Sequence, residues 1–345
     1  MSLVVIGSAR FAEHQTPRGH PECPERADVM HAVACEWARR GGAVVAPYDV
    51  THEQLVRVHD EPYVLRMENL AGVSTALDAD TCTSPETIAI ARLAAGAAID
   101  AVERVMSGTA RRALALVRPP GHHAERDLAM GFCFYNNIAV AAAHARTRGA
   151  RRVAIVDYDV HHGNGTQQIF EADPQVLYVS AHQFPYYPGT GAAQEIGVGA
   201  AVGATVNIPL EIGATDEDYR VAFTEVVTPV VRAFGPDVLL VSAGFDAHER
   251  DPLGGMRLTT GAFEAMTQEL CALADECCEG RLVAVTEGGY DLRALEESLL
   301  VVMETLGRET AGPPRWPVSS IRSSRGANGV AATKRALAGF WNLTG

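Results

Sequence analysis

Between residues 157 and 165 the chain reads DYDVHHGNG, with two aspartates, two adjacent histidines and two glycines in one short stretch. In an extended backbone alternate side chains share a side, so Asp157, Asp159 and His161 are expected to face the same way. Asp159 and His161 are spaced to grip one metal ion, and Asp246, in the polar run AGFDAHERDPLGG, is the expected third ligand. Two carboxylates and one imidazole suit zinc, with iron(II) or manganese as alternatives. Three protein ligands leave room for water and substrate, the mark of a catalytic rather than a structural site. Taken alone, Asp-x-Asp-x-His is as well explained by helix caps and solvated charges; Asp246 and a second histidine pair weigh toward a metal.

That pair is His122-His123, set between Pro119-Pro120-Gly121 and a glycine-bearing loop. Two histidines in sequence point to proton handling near neutral pH, and each needs an orienting partner. Asp157 and Asn164 are the polar groups on offer in the neighbouring loop. Tyr290 follows two glycines, which are expected to let the backbone bend and aim the phenol at a developing oxyanion. Seven cysteines, an odd number with no CxxC pair, argue for a reduced compartment, no disulfide framework and no cysteine zinc site. Cys133, in GFCF, reads as a small packing residue.

Short Val-rich runs can carry these groups: LVVI at the start, ALALV (113–117), VAIV (153–156), VLYVS (176–180), TVNI (205–208), VLLVS (238–242) and LVAVT (282–286). They lack polar alternation, as strands of a parallel sheet covered on both faces do. Helical patterns separate most of them. Ser84-Pro85-Glu86 is expected to open a helix that Gly108 closes, Thr215 with Asp218 resembles a capping box, and helices follow Thr259 and Asp291. The fold class is therefore α/β, a single doubly wound domain with a mostly parallel central sheet and helices on both faces. Its catalytic unit is expected over 1–310. Residues 311–345, with PPRWP and SSIRSSRG, read as an irregular tail with a short helix, packed on that unit or extending from it. Five of the strands lead into polar loops, where open α/β sheets place their sites.

The formal net charge of −13 over 345 residues excludes direct nucleic-acid binding as a main role. MSLVVIGSARFAEHQ lacks a basic leader and a long apolar segment, and no run reaches membrane-spanning length, so a soluble, cytoplasmic protein is expected.

Six motifs, RPPGHHA, GFCFYNN, DYDVHHGNGTQ, YYPGTG, AGFDAHERDPLGG and EGGY, together with HPECPER (20–26), resemble the zinc-dependent histone deacetylase family. HHGNG and DPLGG look closest to its class II branch and the bacterial and acetylpolyamine-hydrolysing relatives. The resemblance covers roughly 20–290 and implies the arginase/deacetylase fold. It implies zinc on Asp159, His161 and Asp246, and His122 and His123 as the proton-handling pair. Asp157 would orient His122, Asn164 would approach His123, and Tyr290 would polarise the acetyl carbonyl. Phe132 and Tyr187 would wall a tunnel, with the Gly131 carbonyl meeting the substrate amide; Tyr187 departs from the family's frequent Phe. A structural potassium ion is implied on the Asp157, Asp159 and His161 loop with Ser180. Leu253 stands where polyamine-preferring relatives carry an acidic gatekeeper, so acetyl-lysine-type substrates are expected ahead of acetylpolyamines or other acylated small amines. A non-catalytic acyl-lysine binding module and a two-manganese ureohydrolase are disfavoured, the first by Tyr290 and the full ligand set, the second by the mononuclear ligand set. The natural substrate and oligomeric state are not legible in the sequence.

Overall fold

The computed structural model describes residues 2–310, 312–318 and 324–343. Its strands are β1 (Leu3–Gly7), β2 (Ala43–Val45), β3 (Thr75–Ala76), β4 (Cys82–Thr83), β5 (Arg112–Leu116), β6 (Val153–Asp157), β7 (Val176–Gln183), β8 (Thr205–Leu210), β9 (Val238–Ala243) and β10 (Leu282–Thr286). Eight form one sheet in the order β2-β1-β5-β10-β9-β6-β7-β8, and every pairing in it is parallel. β3 and β4 make a small antiparallel ribbon. All seven sequence-expected strands form. β2 and the ribbon were not expected: they span two or three residues each and offer no periodicity to read.

Strand alternation delivers apolar residues to both faces. Leu114, Leu116, Ala154, Val156, Leu239 and Val241 join one core. Ala113, Ala115, Val153, Ile155, Leu240 and Val283 join the other. The second core receives the alanine-rich helix Thr87–Met106, which lies close enough that a Cβ on Gly96 would sit 1.7 Å from the Tyr48 carbonyl oxygen. Both faces are covered, so most strand positions are hydrophobic.

The helix after Ser84 starts two positions later than the proline suggests. Thr87 accepts from the Ser84 amide at 2.7 Å, and its own amide donates to the Ser84 carbonyl at 3.0 Å, so Pro85 and Glu86 form a turn before the helix. The Thr215–Asp218 capping box opens helix Asp216–Ala222, and helices Thr260–Cys277 and Leu292–Gly307 follow Thr259 and Asp291. In the tail, part of SSIRSSRG (319–323) lies outside the described residues. Helix Ala327–Leu337 lies along β8, with the Thr333 hydroxyl donating to the Asn207 carbonyl at 2.7 Å. Trp316 packs edge-on against Phe223, ring centroids 5.8 Å apart.

Candidate active site

β6 ends at Asp157, so the strand alternation expected to carry Asp157, Asp159 and His161 onto one side does not continue. Two side-chain turns replace it. The Asp159 amide donates to Asp157 Oδ1 at 3.1 Å, and the His161 amide donates to Asp159 Oδ1 at 2.9 Å. These turns part the groups. Asp157 goes to His122 and the Tyr178 hydroxyl, each 3.0 Å from Oδ2, while Asp159 and His161 turn to Asp246.

The ligand atoms of Asp159, His161 and Asp246 lie within 4.8 Å of one another, and all three residues are buried. His161 Nδ1 stands 3.1 Å from both Asp159 Oδ1 and Asp246 Oδ2. The remaining carboxylate oxygens are held by backbone amides: Asp159 Oδ2 accepts from Gly288 at 2.9 Å, and Asp246 Oδ1 from Val160 at 2.8 Å. Burial, reinforced by the charge on Asp159, pushes the Asp246 carboxyl up to about 7. Burial opposes the His161 imidazolium, but its bonds to Asp159 and Asp246 overcome this and raise the ring to about 10. Two carboxylates and one imidazole gathered this closely form a donor set that fits one divalent ion of the zinc or iron(II) type.

The glycines of these motifs serve close approach as well as bending. Gly163 and Gly165 have negative φ, and Gly163 (φ −77°, ψ 70°) centres a tight γ-turn closed by the Asn164 amide donating to the His162 carbonyl at 2.9 Å. A Cβ on Gly163 would stand 2.5 Å from Asp157 Oδ2, and one on Gly165 2.2 Å from the Ala124 carbonyl oxygen. A Cβ on Gly288 would meet Asp246 Oδ2 at 2.0 Å. Gly289, at φ +126°, supplies the bend before Tyr290.

His122 and His123 both lie at the site, and their surroundings shift the two rings in opposite directions. For His122, burial works against the imidazolium, yet Asp159 and Asp157 outweigh it and raise the ring to about 10. For His123, burial and the neighbouring His122 and His161 hold the ring well below its ordinary value. His123 Nδ1 lies 2.8 Å from Asn164 Oδ1, while Asn164 Nδ2 donates to Glu125 at 2.7 Å. With the amide so oriented, Nδ1 carries the His123 proton and Nε2 keeps its lone pair.

A cavity of about 210 Å³ leads to these groups, lined by Asp80, His123, Gly131, Phe132, His161, Tyr186, Tyr187, Leu253 and Tyr290. Phe132 and Tyr290 meet edge-on at 5.9 Å, and His123 and Tyr187 at 5.1 Å. Phe132 holds φ +68°, and its amide donates to Thr81 Oγ1 at 3.1 Å. Burial raises the Tyr290 phenol well above its ordinary value, so it stays a donor. The Cys133 thiol, also raised by burial, donates weakly to the Gly131 carbonyl at 3.3 Å. Ser180 sits across the ladder from Asp157, its hydroxyl 2.8 Å from His182 Nδ1.

Several contributors escaped the sequence reading. Tyr186 stacks on His161 at 5.5 Å and donates to the Leu253 carbonyl at 2.6 Å. Asp80 reaches the cavity mouth from the ribbon loop, with no local signal. Asp251 accepts from the Tyr290 amide at 2.7 Å and the Leu253 amide at 2.9 Å. Behind Tyr290, the Arg26 guanidinium lies 4.9 Å from its ring centre and donates to the Gly289 carbonyl at 2.7 Å. Glu22 takes bonds from Arg26 at 2.9 Å and Arg118 at 2.6 Å.

An all-parallel eight-stranded sheet with tandem histidines, a buried Asp-His-Asp cluster and a phenol at its carboxyl edge defines the arginase/deacetylase class of α/β proteins. Within it, the family model described as "Histone deacetylase domain" matches residues 20–306, and the chain belongs to that family. The solved HDA15 HD domain superposes with a TM-score of 0.89 at 37% identity, over 98% of this chain and 95% of that one. Histone deacetylase 15 of Arabidopsis thaliana is 39% identical over 92% of this chain and 58% of its own length. A probable deacetylase of Archaeoglobus fulgidus is 39% identical over 84% and 81%. Polyamine deacetylase HDAC10 of Homo sapiens is 38% identical over 93% and 50%. The chain thus spans 58% of the length of the Arabidopsis relative and 50% of that of the human one. No helix among the described residues is long and apolar enough to cross a membrane.

Proposed function

We propose that the protein is a metal-dependent deacetylase that hydrolyses the acetamide of acetyl-lysine-type substrates, with 1–310 as its catalytic unit. The observation that carries this reading is the cavity, an aromatic slot lined by His123, by Tyr290 and by His161, the one member of the metal-type cluster that reaches it. Asp159, His161 and Asp246 would hold the divalent ion, which when bound supplies Lewis acidity to water and to the acetyl carbonyl. Phe132 and Tyr187 admit an unbranched alkyl arm and exclude bulk water. Tyr290 donates its phenolic proton as a hydrogen bond to the carbonyl oxygen as negative charge develops there. His123 Nε2 takes a proton from the attacking water as the new C–O bond forms, and returns it to the amine nitrogen as the C–N bond breaks. Acetate and a free amine leave. His122, held by Asp157 at 3.0 Å, is oriented toward the same proton-handling site. We carry the family's potassium ion over to Asp157, Asp159, His161 and Ser180 as a structural element.

A second reading is favoured by Asp80. Leu253 brings no counter-charge to the rim, but Asp80 lines the same cavity and can attract the second ammonium of an acetylated polyamine. Acetate release from an acetyl-lysine peptide and from N8-acetylspermidine, measured side by side on metal-loaded protein, tests both. Higher kcat/KM on the peptide supports the first reading. A wide preference for the polyamine that Asp80→Asn abolishes supports the second. No acetate from either substrate, with one equivalent of divalent metal bound, removes the deacetylase reading.

A further inference from the structure

Glu287 is fully buried at the carboxyl end of β10, and the chemistry described above leaves it without a task. Its Oε2 accepts from the Gly121 amide at 2.7 Å and from the His122 amide at 3.1 Å. Its Oε1 accepts from the Ser242 hydroxyl, on β9, at 3.0 Å. One carboxylate therefore joins three strand ends: its own, the end of β9 that leads to Asp246, and the loop after β5 that carries the histidine pair. Thr286, one residue earlier, holds that loop at its other end. Its hydroxyl accepts from the Val117 amide at 2.8 Å and donates to the Val117 carbonyl at 2.9 Å.

We propose that Glu287 is a positioning residue that sets the height and tilt of the His122-His123 pair relative to the Asp159–His161–Asp246 cluster, by clamping the Gly121 and His122 amides to the end of β9. The inference rests on the deacetylase reading for its kinetic consequence, and on geometry alone for the clamp. Both amides point into a region without solvent, and an unpaired buried amide is costly, so the loop has one favourable seat while the carboxylate is present. Loss of the carboxylate frees the peptide to rotate and to carry both imidazoles with it. A misplacement of about 1 Å between proton acceptor and reacting atoms costs a factor of about a hundred in rate. Substrate binding depends on the slot walls, which Glu287 does not touch.

The test uses the metal-loaded full chain and three variants, Glu287→Ala, Glu287→Gln and Ser242→Ala. Glutamine keeps the shape: its carbonyl oxygen accepts from both amides, and its amide donates to a Ser242 hydroxyl turned to accept. Glu287→Ala is expected to lower kcat about a hundredfold with KM and metal content near the parent's, and Glu287→Gln to recover most of that loss. Ser242→Ala, a smaller change, should lower kcat several-fold in the same pattern and decides the matter if the alanine variant does not fold. Hydrogen exchange of the Gly121 and His122 amides gives a readout independent of turnover: fast in Glu287→Ala, slow in Glu287→Gln. If the parent releases no acetate, the exchange data still judge the clamp. Amides that stay protected in Glu287→Ala, or a kcat within threefold of the parent, overturn the proposal. So does an effect confined to KM.

Discussion

Asp246 carries more of the site than its single ligand atom implies. It faces His161 at 3.1 Å, anchors the Val160 amide and lies where a side chain on Gly288 would collide with it. Asp246→Ala is expected to lose bound divalent metal, because one of three protein ligands is gone. Elemental analysis of variant and parent checks this, and equal metal content would remove Asp246 from the ligand set. Tyr290→Phe should keep metal and fold and lower kcat by a factor of about a hundred to a thousand, with KM little changed. Turnover within a few-fold of the parent would show that the phenol is not the carbonyl's partner. The partners of the histidines were readable before the fold was known, since Asp157 and Asn164 were the polar groups in the adjacent loop. Tyr186, Asp80 and Asp251 were not. Each reaches the cavity or braces its walls through a contact between segments far apart in sequence, which no local spacing records.

Among the elements, the short helix Asn164–Phe170 fits against the histidine loop with no room to spare. The Thr166 amide donates to the His122 carbonyl at 3.2 Å, and Gly165 leaves only space for a hydrogen beside Ala124. Gly165→Ala should destabilise the protein by about 1–3 kcal/mol, since backbone rather than a movable side chain stands in the way. Gly339→Ala, where a Cβ meets nothing within 4 Å, should stay within about 0.5 kcal/mol. Urea unfolding of the two variants gives the comparison, and equal midpoints would refute the packing argument. The strands were legible because both sheet faces are buried and the runs are mostly apolar. The length of β7 was not: Ala181-His182-Gln183 reads as loop, yet it pairs with Ile208-Pro209-Leu210 of β8. His182 is tolerated there because both ring nitrogens have partners, Ser180 Oγ and the Gly191 carbonyl.

At the scale of the whole molecule, Glu22 ties the amino-terminal segment to the end of β5 through Arg118 and to the loop before Tyr290 through Arg26. Burial alone would raise its carboxyl, but Arg118, His14 at 3.5 Å and Arg26 together bring it down from 4.5 to about 2. A depressed carboxyl contributes stability above its unfolded value, and that contribution fades as pH falls through the folded one. Glu22→Gln should therefore be less stable than the parent at pH 7, by roughly 3 kcal/mol from the size of the shift. The gap should close between about pH 4.5 and pH 2. Urea titrations of both proteins across that range measure it, and a gap that stays constant would show that Glu22 is not held ionised by its arginines. The sequence marked HPECPER as part of a motif but could not show this, because Glu22 and Arg118 meet only once the sheet is assembled.

Helix Ala327–Leu337 sets one further property of the molecule. β8 is the outermost strand of the sheet, and this helix lies against it: the Thr333 hydroxyl donates to the Asn207 carbonyl, and Gly329 packs so near the Pro209 carbonyl that a Cβ would come within 1.8 Å. The Glu211 amide, just past the strand, donates to the Arg325 carbonyl at 3.1 Å. Stripped of that cover, the strand would present a row of unpaired backbone groups, a template on which another chain can add a strand. A version shortened to residues 1–318 keeps every residue proposed for chemistry and should nevertheless associate with itself. Its elution from a sizing column should move to larger species as concentration rises while the full chain's does not, and identical elution would mean that β8 guards itself. In that light the last turns of the chain are a guard against clumping, and their worth is counted in molecules that stay apart.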